Sequence, residues 1–230
     1  MKGGQHEWAS NSTSVNDECA LLFEVLHRLA QRLPDDLSFH TFEHTAEVVA
    51  FSTMFAKADN RSEREIELVR IAATFHDVGF LVDRLMHEEL GAELASALML
   101  SLGTFSQEEC EMVRLMILDT QVVSESGWCF DKLRTPLSQY LCDADVANFG
   151  RDTYLAKLEL VRLETSSARD TSFYLNALAM LDAHHWHSAY AKQHLQAIKE
   201  SNRIKLMQAI EECEDWGEAD QDSGISHVTH

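Results

Sequence analysis

The sequence predicts an all-α protein built as a helical bundle, and three observations support this fold class. The chain of 230 residues has only 2 Pro and 9 Gly, and this low content favours long helices over many short strands. Apolar residues recur at helical spacing through most of the chain, and no strand pattern competes with them. Two capping boxes, which begin at Ser62 and Ser106, mark helix starts. A hydrophobic content of 45% supplies a core of ordinary size.

Caps, periodicity and helix breakers predict the individual helices in chain order. Asn16 caps a first helix that Pro34 ends, and a second helix covers about Phe42 to Ala58. We expect further helices from Ser62 to the pair His76-Asp77, from His87 to Ser101 with Gly103 as the stop, from Ser106 onward, from Pro136 to before Gly150, and in two or three pieces between 152 and 213. Residues 78–86 and 122–135 are expected to be irregular.

These helices define one domain, which we place at residues 16–215. The segment 1–15 is polar and rich in Ser and Asn, and the segment 216–230 has a similar character. Chains of this composition bury too little apolar surface to offset the loss of conformational entropy. We therefore expect disordered tails at both ends of the domain.

Composition also restricts the partners and the compartment. A formal charge of −19 argues against polymeric nucleic acid as a partner, because no basic stripe is present to neutralise its phosphates. A small phosphorylated substrate remains compatible, since a metal ion can supply positive charge locally. No apolar window is long enough for a membrane span, and no secretory signal is visible. The 5 Cys residues form no Cys-x-x-Cys motif, so we expect reduced thiols and a cytoplasmic location. The oligomeric state stays open.

The pair His76-Asp77 is the most informative local feature. It closes an apolar run at helical spacing, and Gly79 follows two residues later. Ionisable groups at the end of an apolar helix need a reason to be there, and a divalent metal is one, because imidazole and carboxylate are both metal ligands. Taken alone, the pair is equally compatible with two polar residues that end a helix and bind no metal.

Two further segments of the chain complete a pattern of possible metal ligands with this pair. Upstream lies Phe39-His40-Thr41-Phe42-Glu43-His44, and downstream lies Cys142-Asp143-Ala144-Asp145. This order of a His, a His-Asp pair and a distant Asp resembles the HD superfamily of metal-dependent phosphohydrolases, and it is most similar to small stand-alone bacterial members. The likeness runs from about residue 17 to about residue 206. It implies an HD-type helical bundle with a metal site in its core.

The resemblance implies metal ligands at His44, His76, Asp77 and Asp145. Asp143 is a rival for the last position. Two nitrogen and two carboxylate ligands suit Mn²⁺, Mg²⁺, Fe²⁺, Ni²⁺ or Zn²⁺, with positions left for water and substrate. Asp77 is also a catalytic candidate, because it can help to position that water.

His87 is the only His between Asp77 and Asp145. Members of the family with two metals typically use two additional His from this interval, so a mononuclear site is favoured over a binuclear one that recruits His87 and Asp119. His87 is the first residue to test as an acid catalyst and as a contact to substrate phosphate. Arg84 is a second candidate for phosphate binding, and a solvated surface arginine is an equal alternative.

Several other polar residues receive structural interpretations. We expect Asp143 to orient a ligand His, His40 to pack or to support the ligands, and Glu88 and Glu89 to be ordinary acids in a first helical turn. The cluster His184-His185-Trp186-His187 is interpreted as part of an amphipathic helix with imidazoles at its edge, because no Cys or carboxylate nearby completes a metal site.

The resemblance implies an enzyme that hydrolyses a phosphate ester of a small molecule, with a nucleotide as the substrate class. Two alternatives stay open. A minority of HD-fold proteins are di-iron oxygenases, which need a second iron and more His than this interval holds. A metal-containing nucleotide sensor without turnover is the other.

Overall fold

Helices account for most of the chain in this computed structural model, which describes residues 31, 32, 34, 36–124 and 127–222. The predicted N-terminal tail 1–15 and the first predicted helix up to residue 30 lie outside the described residues. The all-α prediction is confirmed for the described part of the chain.

The described residues form a succession of helices joined by turns and loops. The helices are α1 (Phe42–Ala58), α2 (Glu63–Phe75), α3 (His87–Leu102), α4 (Gln107–Leu118), α5 (Ser138–Asp145), α6 (Tyr154–Glu164), α7 (Thr171–Ala183), α8 (Ala189–His194) and α9 (Gln196–Asp222). Short 3₁₀ turns occupy Val78–Leu81 and Ala147–Gly150. Two strands of 2 residues each, β1 (Val123–Ser124) and β2 (Gly127–Trp128), pair antiparallel with Val123 opposite Trp128.

Local sequence signals explain where α2 and α4 begin and where α3 ends. Both capping boxes are present, with Ser62 paired to Glu65 and Ser106 paired to Glu109. Each box satisfies backbone N–H groups that a helix start leaves unpaired. Gly103 ends α3 in the left-handed conformation, with φ 71°, which glycine adopts without steric cost.

The C-terminal part differs from the prediction. It contains α6, α7, α8 and α9 rather than two or three helices, because Asp170 and Ser188 act as N-caps and divide the helical sequence at these points. Residues 184–187 connect α7 to α8 and are not helical, so the amphipathic-helix interpretation of this histidine cluster is wrong. The backbone of α9 continues to Asp222, beyond residue 216 where the predicted tail begins.

Two smaller differences concern the region before α5. The segment 122–135 contains the short β1–β2 pair rather than being wholly irregular. Pro136 does not lie in the first turn of α5, which begins at Ser138. The hydroxyl oxygen of Thr135 accepts hydrogen bonds from the backbone N–H groups of Leu137 and Ser138, in the turn that leads into this helix.

Helix packing brings three helix ends together. α1 packs against both α2 and α5, while α3 packs against α4 and the end of α2. Gly91 permits the last of these contacts, since a Cβ atom there would overlap the carbonyl oxygen of Phe75. The first turn of α1, the end of α2 and the end of α5 therefore meet above a core that includes Phe55, Phe75, Met116, Tyr140 and Leu141, all fully buried.

No helix in the described part of the chain is both long enough and apolar enough to cross a membrane.

Candidate metal centre

The three helix ends carry the residues that the sequence singled out. Thr41 caps α1 and places His44 in its first turn, His76 and Asp77 follow the last residue of α2, and Asp145 is the last residue of α5. His44, His76 and Asp77 are buried, whereas the side chain of Asp145 keeps 21% of its surface exposed. Asp145 therefore forms the accessible side of the group.

The ligand-type atoms of these residues converge. One atom each of His44, His76 and Asp145 lies within 4.8 Å of the others. Asp145 Oδ1 is 3.1 Å from His44 Nε2 and 3.4 Å from His76 Nε2. Asp77 Oδ2 is 3.2 Å from His76 Nε2 and 3.6 Å from His44 Nε2. The geometry thus brings all four sequence-predicted metal ligands into one cluster.

A backbone hydrogen bond sets the orientation of His76. Its Nδ1 lies 2.7 Å from the carbonyl oxygen of Ala73, and a carbonyl oxygen can only accept, so Nδ1 carries the proton. In the neutral imidazole the lone pair is then on Nε2, which faces Asp77 and Asp145. Metal-ligating histidines commonly have their second nitrogen fixed in this way.

Two atoms of the cluster have no hydrogen-bond partner within the described residues. These are His76 Nε2 and Asp77 Oδ2, which are buried and lie 3.2 Å apart as an ion-pair contact without forming a hydrogen bond. Burial of an unsatisfied polar atom costs about 1–3 kcal/mol. A divalent cation would satisfy both atoms at once, and nitrogen and carboxylate oxygen are suitable donors for it. The residues present therefore fit a metal ion.

The charges within the cluster are strongly coupled. Burial alone would lower the pKa of His76, but the nearby carboxylates of Asp77 and Asp145 hold this pKa well above its ordinary value. Burial alone would raise the pKa values of the two carboxyl groups, but the adjacent imidazoles hold both pKa values well below the usual range. Two carboxylates held ionised in a buried place attract a cation.

His87, at the start of α3, lies beside this cluster. Its Nε2 is 4.0 Å from Asp77 Oδ1, and its Nδ1 donates to the carbonyl oxygen of Arg84 at 2.9 Å. Glu88 Oε2 is 3.2 Å from the same Nδ1. The structure brings the predicted catalytic candidates Asp77 and His87 next to each other.

Glu88 is more than the ordinary first-turn acid that we expected. Its side chain is 11% exposed. Burial raises its pKa, although the charge of His87 opposes this shift. The position of Glu88 in the helix did not predict its burial, because the burial of an acid in a first turn depends on the residues that the turn packs against.

His40 supports the site from the segment before α1. Its Nδ1 is 2.5 Å from Glu164 Oε1, and Glu164 Oε2 accepts from the backbone N–H groups of Phe39 and His40. The ring of His40 stacks on Phe80, which also stacks on His87 with ring centres 4.0 Å apart. Glu164, in α6, thus fixes the segment that leads into the helix of His44.

Arg84 lies at the rim of the site. Its guanidinium is 2.7 Å from Asp36, and 41% of its side-chain surface is exposed. It also lines the cavity onto which the cluster opens. Both interpretations made from the sequence, a phosphate contact and a surface arginine, agree with this position.

Asp119 and Asp143 are engaged elsewhere. Asp119 accepts hydrogen bonds from Arg134 Nε, the Arg134 backbone N–H and Ser138 Oγ. It is therefore not positioned as a second-metal ligand, and the binuclear alternative loses one of its two residues. Asp143 accepts from the backbone N–H groups of His187 and Ser188 and from Ser188 Oγ. Our expectation that Asp143 orients a ligand His is wrong: it anchors the connection between α7 and α8.

The histidine cluster lies away from the metal ligands. His184 is buried among the rings of Phe130, Phe149 and Trp186. Burial lowers its pKa to about 2, so the ring is neutral. His185 is a surface residue 2.9 Å from Asp131.

The cluster of metal ligands opens onto a cavity of about 670 Å³. Asp77, Asp145, His87 and Arg84 line one part of it, and residues of α6 and α7 line another. The sequence did not predict this cavity, because the helices that form its walls have the same apolar spacing as helices that pack in a core.

Comparisons with known proteins agree with the geometry. Residues 41–147 match the family model described as "HD domain". This match contains all four of the clustered residues. Searches of curated proteins and of solved structures found no match. Residues 41–147 are therefore an HD domain, in which the ordered His, His-Asp and Asp residues lie together in an all-α fold.

Proposed function

We propose that this protein is a metal-dependent hydrolase that cleaves a phosphate ester of a small molecule. The observation that carries this proposal is that two buried atoms, His76 Nε2 and Asp77 Oδ2, make no hydrogen bond although they lie within a cluster of ligand-type atoms. The cluster borders a cavity of about 670 Å³, which is within the range that small-molecule sites occupy, about 300–1,000 Å³.

His44, His76, Asp77 and Asp145 would hold the metal. When bound, a divalent ion would lower the pKa of a water molecule and offset charge on the phosphoryl oxygens. The metal itself, among Mn²⁺, Mg²⁺, Fe²⁺, Ni²⁺ and Zn²⁺, is not identified by this donor set.

The reaction is a simple hydrolysis. The water oxygen forms a bond to phosphorus, the bond from phosphorus to the ester oxygen breaks, and the alcohol leaves with a proton. Asp77, whose Oδ1 lies 4.0 Å from His87 Nε2, lines the cavity and would accept a hydrogen bond from the attacking water. His87 would donate a proton to the leaving oxygen from the same Nε2.

Arg84 would bind a phosphate oxygen. It would exchange its exposed partner Asp36 for the substrate, and an exposed pair of this kind is worth only about 0–1 kcal/mol. Two substrate predictions made from the sequence remain proposals: the substrate is a small phosphorylated molecule of the nucleotide class, and polymeric nucleic acid is not a partner. The charge of −19 supports the second.

The test is phosphate release from a panel of phosphate esters by the full chain, with and without a chelator and with each candidate metal added back. We expect release that depends on metal and is lost in Asp77→Ala. His185→Ala serves as the matched control, because His185 is an exposed imidazole that lies beside Asp131, away from the metal ligands. Metal-dependent oxygen consumption without phosphate release would favour the oxygenase alternative. Tight nucleotide binding without any product would favour the sensor.

A further inference from the structure

The cavity beside the proposed metal ligands has largely apolar walls. Hydrolysis of a phosphate ester does not by itself require such walls. Apolar side chains form most of the wall away from the cluster, and they come from β2, the 3₁₀ turn after α5, α6 and α7. They include Trp128, Phe149, Leu158, Val161, Phe173 and Met180.

Helix α7 shows most clearly that one face is turned to this cavity. Phe173, Asn176, Ala177 and Met180 line it, and their spacing of three and four residues places them on a single helical face. Leu175 belongs to the same helix but not to the lining, and it is 49% exposed. The apolar lining therefore follows helix geometry.

Positive charge in the lining is scarce. Among the described residues that line the cavity, Arg84 is the one Lys or Arg, whereas Asp77, Glu88 and Asp145 are acidic. A divalent ion and Arg84 together would only about balance these three carboxyl groups. The remaining basic groups are the imidazoles of His40 and His87. One phosphate group can be accommodated here, but the several negative charges of a polyphosphate would lack cations to pair with.

The mouth of the cavity is also apolar. Leu85 lines it and is 90% exposed, and its neighbours Val82 and Met86 are 77% and 54% exposed. Three large apolar side chains on one short loop beside a cavity form an exposed apolar patch of the kind that accompanies ligand sites.

We propose that the substrate carries a single phosphate group on a predominantly apolar organic part, such as an aryl or a medium-length alkyl alcohol. This inference rests on the proposed function, and it replaces the nucleotide class that the sequence resemblance implied with an apolar phosphate monoester. The phosphate would lie at the metal ligands with His87 and Arg84, and the apolar part would lie between α6 and α7 against Phe149, Leu158 and Phe173.

Binding of phosphonates tests this class independently of turnover. Their carbon–phosphorus bond is not an ester, so binding is measured even if the protein hydrolyses nothing. We would titrate hexylphosphonate and methylphosphonate into the metal-loaded full chain by calorimetry. We expect hexylphosphonate to bind at least about tenfold more tightly, because each buried CH₂ group adds roughly 0.8 kcal/mol. Equal affinities would overturn the inference.

Hydrolysis of paired esters gives the second readout. We expect kcat/KM for 1-naphthyl phosphate to exceed that for glycerol 3-phosphate and for ATP by at least about tenfold. Preference for ATP, or no preference, would overturn the inference while leaving the hydrolase intact. Tight hexylphosphonate binding with no ester hydrolysed would overturn the hydrolase and support the cavity assignment.

Variants on the two faces of α7 test whether the preference for an apolar substrate arises at this helix. Phe173→Ser should raise KM for 1-naphthyl phosphate about tenfold more than it raises KM for glycerol 3-phosphate. Leu175→Ser removes a similar apolar side chain from the face that does not line the cavity, and it should leave both KM values unchanged. Parallel changes in both variants would contradict the assignment.

Discussion

The turn after the His-Asp pair is in direct backbone contact with His87: a Cβ atom at Gly79 would lie 2.5 Å from the Cα atom of His87. Glycine at this position lets the first residue of α3 approach the metal ligands. The position of His87, 4.0 Å from Asp77, thus depends on a residue that does no chemistry.

Replacing Gly79 by Ala should displace His87. We expect a loss of stability of about 1–3 kcal/mol, typical of overpacking, together with a large drop in phosphate release from protein that is still folded. Chemical denaturation and steady-state kinetics measure the two effects.

Gly103→Ala is the matched control for this change. Gly103 has φ 71° with no atom near its Cβ position, so Ala there should cost about 1 kcal/mol of stability through backbone strain alone. Activity should be retained. Equal activity losses in the two variants would show that general destabilisation, rather than the position of His87, is responsible.

Replacement by Asn should lower the stability of the protein at Asp143 and weaken metal binding at Asp145. Asp143→Asn weakens the buried hydrogen bonds to His187 and Ser188, and we expect it to lower stability by about 1–3 kcal/mol while metal affinity stays unchanged. Asp145→Asn should weaken metal binding. Thermal unfolding of the apo proteins and metal titration of both variants measure this, and metal loss in Asp143→Asn would contradict the separate roles of the two carboxylates.

The link between His40 and Glu164 should make stability depend on pH. Burial alone would raise the pKa of Glu164, but the hydrogen bond and charge of His40 lower it to about 2. Burial alone would lower the pKa of His40, but Glu164 and the nearby carboxylates raise it above 6.5. Stability from Glu164 is present above pH 4.5 and is lost as pH falls towards 2. Stability from His40 is complete below pH 6.5 and is lost as pH rises through its raised pKa.

The contribution of this pair is therefore greatest between about pH 4.5 and 6.5. Glu164→Gln should destabilise the apo protein by on the order of 1–2 kcal/mol at pH 5.5 and by less at pH 8.5. Denaturant titrations at the two pH values measure the difference. A penalty that does not change with pH would mean that the pair is not charged in the folded protein.

His87→Gln should separate chemistry from metal binding. The variant removes a proton donor but keeps a polar side chain of similar length, so we expect kcat to fall roughly 100-fold or more while metal content is unchanged. Single-turnover kinetics beside elemental analysis measures this. A full loss of metal would instead make His87 a ligand and reopen the binuclear alternative.

The sequence predicted the parts of the fold that local chemistry determines. The capping boxes at Ser62 and Ser106 and the glycine stop at Gly103 depend on hydrogen bonds and backbone conformation within a few residues, and all three are present. The order of His44, His76-Asp77 and Asp145 was visible because the HD resemblance preserves it along the chain.

Features that depend on tertiary packing could not be predicted from the sequence. Asp143 and Asp145 are two residues apart and chemically identical. The resemblance implied that Asp145 lies beside the imidazoles, but the fold was needed to show that Asp143 faces Ser188. The cavity was missed for the same reason, since Phe149, Leu158 and Phe173 have the spacing of core residues. Single capping residues such as Asp170 and Ser188 are weak signals without a second capping partner, so the break of the C-terminal helices was missed as well.

Metal content per chain tests the central claim most directly. We would measure it by elemental analysis on freshly purified full-length protein, with Asp145→Ala and the surface control His185→Ala prepared in parallel. We expect about one divalent ion per chain in the wild type and in His185→Ala, and none in Asp145→Ala. Wild-type protein without metal, or equal metal in all three proteins, would contradict it.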